Sequence, residues 1–109
     1  MATFYPHLAP IFAALSDPTR LAVVERLTAG PASISELSKP FGMAGPSFLK
    51  HMKILEGAGL VRSEKKGRVR TVRLEPDALQ WVEAWVSWHR AQWKRHLDDL
   101  GNFLAQGDN

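Results

Sequence analysis

The chain has no cysteine. That excludes disulfides, thiol nucleophiles, thiolate metal sites and iron–sulfur clusters together. A disulfide-stapled secreted domain is excluded with them, so a reducing cytoplasm is the expected location. No stretch approaches the roughly 18 apolar residues of a membrane span. No Lys or Arg precedes Arg20, so the charged start of a secretory signal is missing. Repeats and low-complexity tracts are missing too. There is one tyrosine, against four tryptophans and five phenylalanines.

The 109 residues are 45% apolar and 23% charged, values typical of a globular chain, and the length suits one domain. The formal charge of +3 conceals a segregation. Residues 39–73 carry nine basic side chains (Lys39, Lys50, Lys53, Arg62, Lys65, Lys66, Arg68, Arg70, Arg73) against two acidic ones, Glu56 and Glu64. That segment is +7 and the remainder is −4. A basic block in an otherwise acidic chain points to a polyanion-binding face, with a merely solvated basic surface as the rival reading.

Apolar spacing predicts a first helix over 7–15, with Leu8, Ile11, Phe12 and Leu15 on one stripe. Asp17 then Pro18 make an N-cap and a first helical position, opening a second helix to about Ala29 that buries Leu21, Val24 and Leu27. Gly30-Pro31 stops it. Ser33 with Glu36 three residues on completes a capping box for a third helix with Ile34, Leu37 and Phe41 inward, ending near Pro40. The run 42–45 is a tight turn. Pro46 begins a fourth helix, which buries Phe48, Met52 and Leu55 and stops at Gly59. The period then changes: 60–65 and 69–74 read as strands joined by a turn at 66–68. A last helix runs from Glu75-Pro76-Asp77 to about Leu104. One stripe holds Leu79, Val82, Val86, Trp93, Leu97, Leu100 and Leu104, and another Trp81, Trp85 and Trp88.

The expected fold is mainly α (α+β): a winged helix-turn-helix with about five helices and a two-stranded β-hairpin wing, spanning 1–109 as a single domain. The reading helix turns Pro46, Ser47, Leu49, Lys50 and Lys53 outward. Lys50 and Ser47 can hydrogen-bond base edges or phosphate. Leu49 suits either a thymine methyl or a helix junction. His51 sits near the core boundary and reads as structural. Lys65, Lys66, Arg68 and Arg70 on the wing are candidates for phosphate or minor-groove contact, and Thr19 and Arg20 for backbone contact at a helix N-terminus.

Several segments resemble those of ArsR-type (arsenic-repressor-like) winged-helix regulators. They are Leu15-Ser16-Asp17-Pro18-Thr19-Arg20, Ile34-Ser35-Glu36-Leu37, the run from Lys50 to Val61, Gly67-Arg68 and Leu74-Glu75-Pro76. The resemblance covers about residues 11–76 and implies a homodimeric transcriptional regulator, usually a repressor, that binds palindromic double-stranded DNA. Many members hold a metal through a Cys-containing third helix; here Ser33 to Ser38 contains no thiolate. Others use an Asp/His set on the last helix. Asp77, His89, His96 and Asp99 lie there, but Leu79 stands where the first His belongs, so His89 and His96 read as solvated or dimer-facing and no metal or cofactor is expected. Leu49 stands where the family often carries a DNA-facing Ser.

One head is a small interface, so dimerisation is expected through the first and last helices, by Leu8, Ile11, Phe12, Leu15, Trp93, Leu97, Leu100 and Leu104. Two alternatives remain open: a small apolar effector bound by the Trp-rich last helix, or a winged helix that binds protein. The sequence names no effector. Catalysis finds no support, because Ser, His and Asp occur at no recognised spacing and no Gly-rich phosphate loop is present.

Overall fold

The computed structural model describes residues 8–107. The chain divides into two compact units, one ending at Leu79 and the other starting at Gln80. His7, the expected first residue of the first helix, lies outside the described residues.

In the first unit, α1 (Leu8–Leu15) packs on α2 (Pro18–Leu27) and on α4 (Gly45–Gly57). Between them lie β1 (Ala32–Ser33), α3 (Ile34–Ser38) and a 3-10 turn over Lys39–Phe41. The strands β2 (Val61–Lys66) and β3 (Val69–Leu74) follow, and α5 begins at Pro76. Ile11, Val23, Phe48, Leu55, Leu60 and Val72 are the largest fully buried side chains, so α1, α2, α4 and the sheet share one core. The sheet is antiparallel, ordered β1-β3-β2. The hairpin matches expectation. The third strand was not foreseen: β1 is two residues long, too short to show an alternation. It pairs Ala32 with Val72 and Ser33 with Thr71, tying the start of α3 to the wing.

The local chemistry explains the boundaries. Asp17 Oδ2 accepts from the Thr19 and Arg20 amides at 2.9 and 3.0 Å, capping α2. Ser33 and Glu36 form the expected reciprocal box, with bonds of 3.1 and 3.0 Å. The α4 helix ends in a left-handed Gly59 (φ +77°). Its amide bonds the Glu56 carbonyl, while the Leu60 amide reaches Leu55 O. This paired closure satisfies carbonyls the helix would otherwise leave open. The hairpin loop is two residues, Gly67-Arg68, between the paired Lys66 and Val69. Gly67 has φ +62° and Arg68 is not left-handed, the pattern of a type II′ turn, which matches the twist of the strands.

Two expectations are corrected. Leu21, assigned to the core, is exposed, and Val23 is buried instead. The second helix ends at Leu27, earlier than expected, and its inward face is Val23, Val24 and Leu27. Leu8 and Ile11, expected to be presented to a partner, are 6% and 1% exposed. They fill the core of the first unit, and Phe12 faces outward on α1.

The second unit is the remainder of α5 (Pro76–Gly107), three residues longer than expected. Trp81, Trp88, Trp93, Leu97, Leu100, Phe103 and Leu104 are exposed along it. Among the described residues no helix is long and apolar enough to cross a membrane.

Candidate nucleic-acid interface

The α4 helix leaves one face bare because its apolar residues recur at Phe48, Met52 and Leu55, which the core takes. Pro46, Ser47, Lys50 and Lys53 are consequently exposed, and Leu49 is half-exposed. The hairpin places Lys65, Lys66, Arg68 and Arg70 in the open as well. Two adjoining hollows join the two elements. Ser33, Ile34, Ser35, Leu49, Lys65, Arg68, Val69 and Arg70 line a concavity of about 450 Å³. Leu49, Met52, Lys53, Glu56, Ser63 and Arg70 line part of a second, of about 300 Å³. Leu49 thus sits at the junction of α3, α4 and the wing. Ser35 and the exposed Val69 were not singled out from sequence. Only the β1–β3 pairing, invisible in a two-residue strand, brings the start of α3 alongside them.

The electrostatics of the wing are unusual for a sheet. Lys65 stands directly opposite Arg70, and Arg62 opposite Arg73. Like charges in cross-strand register destabilise a hairpin. At the base, Glu75 offsets this by accepting from Arg62 at 3.1 Å. Toward the tip nothing similar happens: Arg70 donates to Ser63 Oγ at 3.0 Å, and that hydroxyl donates to Glu56 at 2.9 Å. Among the described residues, no carboxylate lies within ion-pair distance of Lys50, Lys53, Lys65, Lys66, Arg68 or Arg70.

Arg20, expected to touch a phosphate backbone, faces a different task. Its Nε donates to Ala14 O at 2.7 Å, Nη2 to Ala13 O at 3.5 Å, and Nη1 to His51 Nδ1 at 3.0 Å. The amides at the start of α2, expected to be open to an anion, are occupied by Asp17. The Arg20 amide is the strongest of the influences that hold the Asp17 carboxyl below the ordinary value, opposed by desolvation. His51 fits the structural role read from its position: it is largely enclosed and hydrogen-bonded.

The Ser33–Ser38 stretch offers hydroxyls and one carboxylate, and Glu36 is occupied by its capping box. On α5, His89 lies 4.3 Å from the Trp85 ring and 4.8 Å from that of Trp88, centroid to centroid. Among the described residues, no three His, Cys, Asp or Glu side chains are grouped to hold a metal.

Comparison with known proteins agrees with this geometry. The sequence model of a helix-turn-helix domain family matches residues 15–64. A crystal structure of an ArsR family transcriptional regulator superposes with a TM-score of 0.80 at 50% identity, covering 86% of this chain and 97% of the other. The chain is 31% identical to the arsenical resistance operon repressor of Staphylococcus xylosus, over 72% of its own length and 75% of the repressor's. It is 39% identical over 66 residues to an HTH-type transcriptional regulator of Mycobacterium tuberculosis, a match that spans 61% of this chain and 62% of that protein. The fold, the capped α2, the reading-helix segment and the basic hairpin therefore have one common explanation: the chain belongs to the ArsR family of transcriptional regulators.

Proposed function

We propose that this regulator binds double-stranded DNA as a homodimer without a metal. The N-terminal half of α4 enters the major groove, and the wing tip lies on the flanking backbone. Lys50 and Ser47 address base edges, Leu49 a thymine methyl, and Lys53, Lys65, Lys66, Arg68 and Arg70 the phosphates. The observation that carries this reading is the opposed Lys65–Arg70 pair, with no carboxylate within ion-pair distance of either among the described residues. A sheet gains nothing in stability from that arrangement, and a polyanion laid across it removes the repulsion. The dimer is supported by the exposed apolar residues of α5: Trp93, Leu97, Leu100 and Leu104 recur at helical steps and are all more than half exposed. A stripe of that length on a water-facing helix marks an interface.

The test is binding to a random duplex across a salt series, followed by selection of bound sequences from a random pool. The expected result is a linear fall of log K with log salt, at about 0.9 per phosphate contacted, and a selected site with two-fold symmetry. Absence of binding at low salt overturns the reading in favour of a protein-binding winged helix.

A further inference from the structure

We infer that Arg20 and His51 form a positioning relay that sets the fine rotation of the reading helix, and so controls sequence discrimination separately from DNA affinity. The inference rests on the DNA-binding reading above. One guanidinium joins three helices. Its Nε and Nη2 take the Ala14 and Ala13 carbonyls at the end of α1, its own amide belongs to the Asp17 cap of α2, and its Nη1 reaches His51 Nδ1 on α4 at 3.0 Å. Arginine has donors only, so Nδ1 accepts and the proton of a neutral His51 resides on Nε2. Asp17 Oδ2, at 3.7 Å from the same Nδ1, is too far to compete as a hydrogen-bond partner.

Burial of Phe48, Met52 and Leu55 sets the coarse rotation of α4, since turning the helix would expose them. Apolar packing is non-directional, however, and leaves the fine angle of the exposed face to hydrogen bonds. Directional restraint comes from two side-chain bonds among the described residues: His51 to Arg20, and Glu56 to Ser63 on the wing. His51 is the one next to the reading end. Ser47 lies one turn before it on the same face, and Lys50 is its immediate neighbour, so the angle at which His51 is held is the angle at which both are aimed. Base-edge hydrogen bonds demand that angle; attraction to phosphate does not.

The experiment compares a duplex selected from a random pool with an unselected random duplex at one salt concentration, with Tm recorded for every variant. His51→Leu removes the acceptor and is expected to lower affinity for the selected duplex about tenfold, leaving the random duplex within about twofold and the salt slope unchanged. His51→Asn puts Oδ1 where Nδ1 was and restores the ratio. Arg20→Lys, a point charge that cannot span Ala14 and His51 together, lowers the ratio as His51→Leu does and serves if that variant does not fold. The ¹⁵N shifts of the wild-type imidazole should show an unprotonated Nδ1. An unchanged ratio in both disrupting variants, a parallel loss on both duplexes that follows Tm, or a protonated Nδ1 overturns the relay while leaving the DNA reading intact. A wild-type chain that binds neither duplex overturns the DNA reading, and this inference with it.

Discussion

Single residues in this protein separate into those that hold the backbone and those left free to bind. Asp17 is of the first kind, and its carboxyl titrates below the ordinary 3.8 because the Arg20 and Thr19 amides favour the anion. Glu36 is likewise held below its ordinary 4.5 by the Ser33 amide and hydroxyl. Both groups bind protons less readily folded than unfolded. Their contribution is therefore complete at neutral pH, begins to fade as pH falls toward the ordinary values, and is lost once pH passes below the lowered ones. Asp17→Asn keeps an acceptor for the α2 amides but cannot titrate. Its Tm should fall less steeply than that of the wild type between about pH 5 and 3; identical curves would show that the cap charge does not couple to folding. Lys50 and Ser47 are of the second kind. Each is exposed and outside the core, so alanine at either should leave Tm nearly unchanged. Selected-duplex binding should weaken by about 1–3 kcal/mol for each base-edge interaction removed, with random-duplex binding affected far less. Equal losses on both duplexes would place these side chains on the backbone.

The wing sets stability against binding more openly than any other element. Because Lys65 faces Arg70 across the ladder, Lys65→Thr removes a like-charge pair and adds a β-branched residue, for a gain of about 0.2–1 kcal/mol in stability. The same change should weaken random-duplex binding, and a variant that is both more stable and equally tight would take Lys65 out of the interface. Lys66→Ala combined with Arg68→Ala should flatten the slope of log K against log salt by about 2, one unit for each phosphate no longer neutralised. Most elements were legible in the sequence because each has its own punctuation: Asp17-Pro18, the Ser33–Glu36 box, Gly59 after Ala58, and Gly67 between two alternating runs. The losses have physical causes. Strand β1 is specified by its partner β3, not by a pattern of its own, and with it went Ser35 and Val69, which line the hollow beside the wing. Arg20 reads from sequence as a phosphate ligand because a cation at a helix start resembles one, and its internal hydrogen bonds leave no sequence signal. Only the folded chain brings the Ala13 and Ala14 carbonyls and His51 within its reach. Leu8 and Ile11 were misplaced because apolar spacing marks a face to be covered without saying whether the covering comes from the same chain.

At the scale of the molecule, the last helix poses the question a single chain leaves open. Trp93, Leu97, Leu100, Phe103 and Leu104 are 54–69% exposed, a concentration of apolar area that water opposes. In the proposed dimer a second copy covers it, and in a two-fold interface every interaction occurs twice. One charge introduced at the centre of the stripe therefore also enters twice. Leu97→Glu should convert a dimer into a 12.2 kDa monomer in sedimentation. Its Tm should change little apart from the lost association, since Leu97 is exposed in the single chain and no core cavity is created. DNA binding should then divide. Random-duplex binding by one wing and one α4 persists, weakened. A selected two-fold site keeps only one occupied half, and for affinities of about 10⁻⁸ M or tighter, halving the binding free energy costs on the order of 10⁴-fold or more. Wild-type protein that sediments as a monomer at micromolar concentration, yet binds a two-fold site tightly, would overturn the dimer. The exposed tryptophans of α5, with His89 packed between Trp85 and Trp88, would then be better explained as the surface on which an apolar effector is held.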